Sequence, residues 1–358
     1  MNNRLQHLRE SLARHEIDGI FISQPENRYY LSGFHGTAGF LFITETKAVL
    51  ATDFRYTEQA ITQAPDFEIL RIAINVSEWF PGLVRDAGVK RLGFESPEVS
   101  YQFYNALSDA LQKKDGQTEM VPVCGIVEKL RIVKQADEIE KTEQAVAISD
   151  RALTEVEKII TAGMTENQVA WELEKRLREN GSQSLPFEII VASGPKAALP
   201  HHLPSDRVIS EGEPIVIDMG ARCQGYASDL TRTLCIGEPG DQFKKVYGTV
   251  LDAQLAALAI IKGGITGGEA DAAARSVIQK AGYGEDFGHG LGHGVGLAVH
   301  EAPRLSPGSE DILNDGMIFS VEPGIYLSGW GGVRIEDTVV IENGTMRVLS
   351  QARKASYD

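Results

Sequence analysis

Five side chains in the second half of this 358-residue chain constrain its fold more than any other feature: Asp218, Asp229, His293, Glu322 and Glu336. They sit in the contexts VIDMGA, ASDLTRT, HGLGHGVGLAVHE, VEPGIY and GVRIED. Four carboxylates and one imidazole are a mostly oxygen donor set. That set suits a pair of divalent ions such as Mn²⁺, Co²⁺ or Zn²⁺, whereas a single structural zinc favours cysteine. Two such ions can share an activated water, which is the core of a hydrolytic site.

The local contexts support convergence. Asp218 ends the apolar strand PIVID, where a buried carboxylate is costly unless it finds a partner. Asp229 follows eleven residues later, just before another strand. A turn through Gln224–Gly225 lays the two strands side by side and brings both carboxylates to one point. Alone, either Asp reads equally as a turn or cap residue; the downstream motifs decide against that. His289, His293 and His300 fall within twelve residues, more than packing explains. Glycines at 288, 290, 292, 294 and 296 let the backbone there pass close to a metal or substrate. Glu322 follows the run MIFSV and precedes Pro323–Gly324, again an acid at a strand end. In GVRIEDTVVI, alternation puts Val333 and Ile335 on one face and Arg334 and Glu336 on the other. Glu336 then reads as a metal bridge, with a buried Arg–Glu pair as the alternative, and Asp337 faces away.

The first 130 or so residues alternate helix and strand patterns. Leu5, Leu8 and Leu12 recur at helical spacing, Ile17 to Ile22 reads as a strand, and the Gly33–Gly39 loop leads into a hairpin, FLFIT then AVLAT. Further strands are expected near Phe67–Ile72 and Leu92–Glu95, with helices after Asp53, from Ser77 and from Tyr101. A charged helical stretch begins near Lys134, with Val146, Leu153, Val156 and Ile160 as its seam and Gly163 as its end. Thr165 and Gln168 form a capping box for the next helix, which stops at Gly181. From Phe187 the chain is strand-rich, then carries two helices (about 241–262 and 267–281), then strands again. The repeated order hints at an internal duplication.

The length favours two domains. A net charge of −15 argues against a nucleic-acid partner. No apolar run approaches the roughly 20 residues that span a bilayer. The polar start, MNNRLQHLRE, carries no signal-peptide apolar region, and three cysteines fit reduced thiols in a cytoplasm.

These motifs resemble the pita-bread metallopeptidases, in the branch that holds Xaa-Pro aminopeptidases (aminopeptidase P) and Xaa-Pro dipeptidases (prolidases). HGLGHGVGLAVHE matches the branch's proline-peptidase signature position by position, and YYLSGFHGTAGFLFIT and TDFRYTEQA are similar to its creatinase-like first domain. The resemblance covers essentially the whole chain. It implies an α/β (α+β) fold, with a creatinase-like N-terminal domain over residues 1–128 and a pita-bread catalytic domain over 129–358 built from duplicated strands and helices. It implies two divalent ions, Mn²⁺ first and Co²⁺ or Zn²⁺ next. Asp229 and Glu336 would bridge them, Asp218 would complete one, and His293 with Glu322 the other. His201 matches a substrate-binding or transition-state histidine, although its neighbour His202 could take that place. His300 matches the second such histidine, His289 would line the pocket for the proline ring, and Arg334 would couple to the metal residues and contact substrate. Glu322 is the candidate proton carrier. The family suggests a homodimer in which the Gly33–Gly39 loop of one subunit edges the other's site.

An Xaa–Pro bond is a tertiary amide with no N–H, and a site that polarises the carbonyl does not need that hydrogen. The expected activity is release of the N-terminal residue from Xaa-Pro peptides, with the phrases YYLSGFHGTAG and TDFRYTEQA leaning to the aminopeptidase-like group. The alternatives are an Xaa-Pro dipeptidase, a metal-free creatinase-like amidinohydrolase and a non-catalytic binding protein.

Overall fold

The computed structural model describes residues 3–114, 117–355 and 357. The chain divides into two compact units, Met1–Arg131 and Ile132–Asp358. In the first, six strands form one mixed sheet: β1 (Gly19–Ile22), β2 (Phe40–Thr44), β3 (Ala48–Thr52), β4 (Glu68–Arg71), β5 (Arg91–Glu95) and β6 (Glu119–Val123), in the order β4-β3-β2-β1-β5-β6. Phe21, Phe42, Val49 and Leu92 pack with Phe80, Val84, Leu107 and Leu111 from the helices Phe80–Asp86 and Tyr101–Lys114. Leu5, Leu8 and Leu12 bury one face of the helix Asn3–Arg14.

The second unit repeats one theme twice. Its first half has the helices Ala136–Val156 and Glu166–Glu179. Three antiparallel strands follow: β7 (Ile190–Ser193), β8 (Pro214–Met219) and β11 (Leu230–Cys235), in the order β11-β8-β7. The two-residue strands β9 (Arg222–Cys223) and β10 (Tyr226–Ala227) lie between β8 and β11 and form the expected turn. Gln224 and Gly225 both have positive φ (46° and 85°), the signature of a tight hairpin whose twist matches its strands. The second half has the helices Asp241–Ile260 and Gly267–Lys280. Strands β12 (Gly292–Gly294), β13 (Glu301–Leu305), β14 (Ile318–Val321), β15 (Gly324–Leu327), β16 (Gly331–Arg334), β17 (Asp337–Glu342) and β18 (Thr345–Val348) follow, and the helices share a core with β13 to β18.

Alternation along the strands separates core from site in both halves. In β8, Ile215, Ile217 and Met219 pack on the helix residues Leu153, Val156, Val169 and Leu173, whereas Val216 packs with Ile190, Ala192 and Ala197 away from them. Asp218 shares the Val216 face. In the second half Phe319, Val321, Val333 and Ile335 pack on the helix residues Val250, Ala253, Ala270 and Ala274. Ser320, Glu322, Arg334 and Glu336 are the intervening residues, turned away from that core.

Two local expectations change. The helix carrying Val146 and Leu153 ends at Val156 rather than near Gly163. Ile159 N–H bonds back to the Val156 carbonyl at 3.0 Å, a tightened turn that keeps Ile160 buried outside the helix. Three glycines of the histidine motif, Gly290, Gly292 and Gly294, make room for protein backbone, whereas Gly288 has open space beside it on the pocket lining. A Cβ at Gly292 would collide with the Ser320 carbonyl, and one at Gly294 with the Ala302 carbonyl.

Candidate metal centre

One pocket of about 640 Å³ in the second unit is lined by His201, Asp218, Asp229, His289, His293, His300, Glu322, Arg334 and Glu336. These nine residues singled out from the sequence motifs therefore share one cavity, whereas His202, the alternative to His201, is not part of its lining. Asp218, Asp229 and Glu336 each offer a carboxylate oxygen within 4.8 Å of the others, and Asp229, His293 and His300 do the same with one oxygen and two ring nitrogens. Glu322 Oε1 stands 3.2 Å from His293 Nε2 and accepts from Ser320 Oγ at 2.9 Å. His293 Nε2 is 3.6 Å from Asp229 Oδ2.

Strand pairing sets this geometry. Thr231 is the register partner of Asp218 across β11 and β8. Its hydroxyl donates to Glu336 Oε2 at 2.6 Å and accepts from Arg334 Nε at 3.2 Å. Arg334 Nη2 donates to Asp218 Oδ2 at 2.6 Å, and Nη1 donates to the Tyr326 hydroxyl at 2.9 Å. His289 Nε2 meets the same hydroxyl at 2.9 Å. Asp218, Arg334, Tyr326 and His289 thus form a continuous hydrogen-bonded chain along one wall. Behind the wall, Asp337 faces away from the pocket and pairs with Arg232 at 2.8 Å, while an Arg232 guanidinium nitrogen also holds the Glu336 carbonyl.

The electrostatics are those of an acid cluster short of positive charge. Burial pushes the Asp229 carboxyl well above the usual range, and Glu336 and Asp218 add to it. Burial, then Glu322 and Asp218, raise Glu336 in the same way. Asp218 is raised by burial, against the pull of Arg334. Burial also opposes ionisation of Glu322, but the His293 hydrogen bond and charge hold it down to about 2. His293 is raised despite its burial, through Glu322. Burial and His293 together lower His300. Asp218 Oδ1 and Glu336 Oε1 are buried with no hydrogen-bond partner. Orphaned carboxylate oxygens in a buried cluster of four acids are what a pair of hard or borderline divalent ions would satisfy, and no thiol competes for them. The residues fit the group.

Thr231, Tyr326 and Arg304 were not singled out from sequence. Thr231 follows once the β8–β11 register is known. Tyr326 pairs with Gly332, where a Cβ would press on the Tyr326 ring at 2.9 Å. Arg304 lies on the pocket wall, four residues beyond His300.

Comparison with known proteins agrees with this geometry. The model of metallopeptidase family M24 matches residues 140–343, and that of the creatinase/prolidase N-terminal domain matches residues 4–133. This chain belongs to the M24 metallopeptidases. It is thus a hydrolase of the pita-bread class that uses divalent metal. Its fold is similar to that of an Xaa-Pro dipeptidase from Bacillus anthracis, at 42% identity and a TM-score of 0.95 over 99% of this chain and 98% of that one. An X-Pro aminopeptidase from Thermotoga maritima gives 40% identity and a TM-score of 0.88 over 97% and 99%. An Xaa-Pro dipeptidase of Pyrococcus horikoshii is 38% identical over 99% of both chains. Within this M24 peptidase, no described helix is long and apolar enough to cross a membrane.

Proposed function

We propose that this M24 peptidase is a dimetal Xaa-Pro exopeptidase whose preferred substrates are Xaa-Pro dipeptides. The carrying observation is the meeting of Asp218, Asp229, His293, Glu322 and Glu336 in one pocket with two oxygens left unpartnered. The sequence phrases lean to aminopeptidase action; the full-length relatives called Xaa-Pro dipeptidases move the reading to the dipeptidase alternative. The same five residues would hold two divalent ions, Mn²⁺ in preference to Co²⁺ or Zn²⁺. Such ions, when bound, polarise a carbonyl and acidify a water.

The chain's own groups do the rest. Arg334 orients Asp218 and offsets the acid cluster. His300, lowered and so neutral near pH 7, donates a hydrogen bond to the oxygen of the attacked carbonyl. His201, also on the pocket lining, orients the substrate. His289 and Tyr326 shape the wall against which the proline ring packs. Glu322, held at Oε1 by the Ser320 hydroxyl, takes a proton from the attacking water and returns it to the leaving nitrogen. Arg304 is exposed, lines the pocket, and has no side-chain partner among the described residues. It offers a cation for the free carboxylate that a dipeptide presents next to its proline.

The Thermotoga aminopeptidase keeps the second reading in play. The test is steady-state kinetics after chelation and Mn²⁺ reconstitution, on Xaa-Pro, its C-terminal amide and Xaa-Pro-Yaa-Zaa. The dipeptide should lead in kcat/KM; equal or faster cleavage of the tetrapeptide would give the aminopeptidase reading instead. A cytoplasmic homodimer completes the proposal, supported by three unpaired cysteines and by the family resemblance. Sedimentation of the native protein checks its mass.

A further inference from the structure

His201 reaches the pocket from a stretch with little regular structure. Between the 3-10 turn Gly194–Ala198 and β8, the only described bridge is Val208 to Thr165. What fixes this stretch is a buried carboxylate outside the metal cluster. Glu166, the first residue of the helix Glu166–Glu179, is 0% exposed. Its Oε2 accepts from His202 Nε2 at 2.9 Å, from Ser205 N at 3.1 Å and from Ser205 Oγ at 2.6 Å. Its Oε1 accepts from Ser193 N at 2.8 Å and Ser193 Oγ at 2.7 Å. One carboxylate therefore ties the end of β7 to both residues 202 and 205, on either side of the pocket-lining Leu203 and next to His201. The neighbouring backbone adds Asn167 N to Ser205 O at 3.0 Å and Glu166 N to Arg207 O at 3.1 Å. Burial works against ionisation of Glu166, but Ser205, His202 and Ser193 outweigh it and hold its carboxyl below the ordinary value.

His201 sits in a turn that His202 N–H closes on the Leu199 carbonyl at 3.1 Å. His202, with its side chain only 11% exposed, is held inward on Glu166, while His201 is exposed in the cavity. We propose that Glu166 is a positioning residue that fixes His201 over the substrate by clamping His202 and Ser205. The role assigned to His201 rests on the exopeptidase reading; the clamp itself does not.

Glutamine is the informative replacement. Its amide has one acceptor oxygen, so in either orientation an NH₂ faces a backbone N–H, of Ser193 or of Ser205, that has no alternative tautomer or rotamer. Glu166→Gln should lower kcat/KM on an Xaa-Pro dipeptide by about tenfold or more, mainly in kcat, with Mn²⁺ content unchanged. In a His201→Ala background the same change should cost less than about twofold, because the group it positions is gone. His202→Leu should reproduce the loss and His202→Gln, which keeps a donor, should restore part of it. Amide hydrogen exchange over 199–208 should quicken in Glu166→Gln and His202→Leu, with 214–219 unchanged. Multiplicative losses in the double variant, or unchanged exchange in that stretch, overturn the proposal. If the parent protein cleaves no Xaa-Pro peptide, the exopeptidase reading fails, and the exchange data still decide the clamp.

Discussion

Glu95 in the first unit and Glu336 in the second are both buried carboxylates whose protons are held above the ordinary range, at 6% and 1% exposure. Their surroundings differ. Glu95 Oε2 accepts from Ser23 N and Gln24 N, both at 2.7 Å, and Oε1 accepts from Asn27 Nδ2 at 2.6 Å. Glu336 has one bond, from Thr231, one unpartnered oxygen, and the charges of Glu322 and Asp218 nearby. The first acid is built to be satisfied by its own fold. The second is left unsatisfied by it, and the missing partner is a cation. Burial alone does not distinguish structure from function; the state of the remaining lone pairs does.

The sharpest way to break the contrast is to neutralise the unsatisfied cluster. Asp229→Asn should reduce Xaa-Pro hydrolysis on the order of a thousandfold or more after Mn²⁺ reconstitution. Substantial turnover by this variant would refute the metal assignment. Glu336→Gln should act similarly on rate, yet leave the metal-free protein as stable as before or more stable by about 1 kcal/mol, because it removes a buried acid whose ionisation other carboxylates oppose. Urea melts of the chelated variant check this; a large destabilisation would mean that Glu336 is a structural acid like Glu95.

The opposite result is expected at Glu95. Glu95→Ala strands two backbone N–H groups and an amide donor, and should cost about 2–4 kcal/mol of stability. The kcat/KM of the folded fraction should stay put. A comparable gain separates the two regions from the ligand side: Mn²⁺ at a hundredfold over its dissociation constant should stabilise the parent by about 2.7 kcal/mol. Asp229→Asn should lose most of that gain and Glu95→Gln should keep it, as thermal melts with and without metal would show.

How far the sequence reveals this contrast follows from range. Strand-end acids, the Gln224–Gly225 turn and the capping box at Thr165 are local signals, and the residues carrying them lie where those signals put them. The internal duplication read from repeated element order corresponds to two helix pairs, each packed on strands whose alternate residues are the acids. What stayed hidden depends on register or on distant partners. Thr231 matters because it is opposite Asp218. Which of His201 and His202 faces the cavity depends on Glu166, more than thirty residues away. The helix Pro25–Ser32 and β6 carry weak patterns: the helix has little apolar periodicity, and a proline interrupts β6. Ligand clearance fits Gly288, which lines the pocket, but a sequence does not display the carbonyls of Ser320 and Ala302 that crowd Gly292 and Gly294.

The smallest effect tests the comparison from the satisfied side. Burial raises the Glu95 carboxyl first, Glu128 pushes the same way, and the hydrogen bonds from Gln24, Asn27 and Ser23 pull back without cancelling the shift. A carboxyl with a folded value above its unfolded one binds its proton more tightly in the folded state. Its contribution is therefore most favourable at low pH and declines as pH rises from the ordinary value of 4.5 through the raised one. One proton gives at most about 1.4 kcal/mol per pH unit, so the slope is modest beside that of the whole protein. Glu95→Gln cannot titrate. The difference in unfolding free energy between parent and variant should change across that window and level off above it. A difference that is flat with pH from the start would show that the three donors hold Glu95 ionised as readily as water does, and that its burial carries no protonation penalty at all.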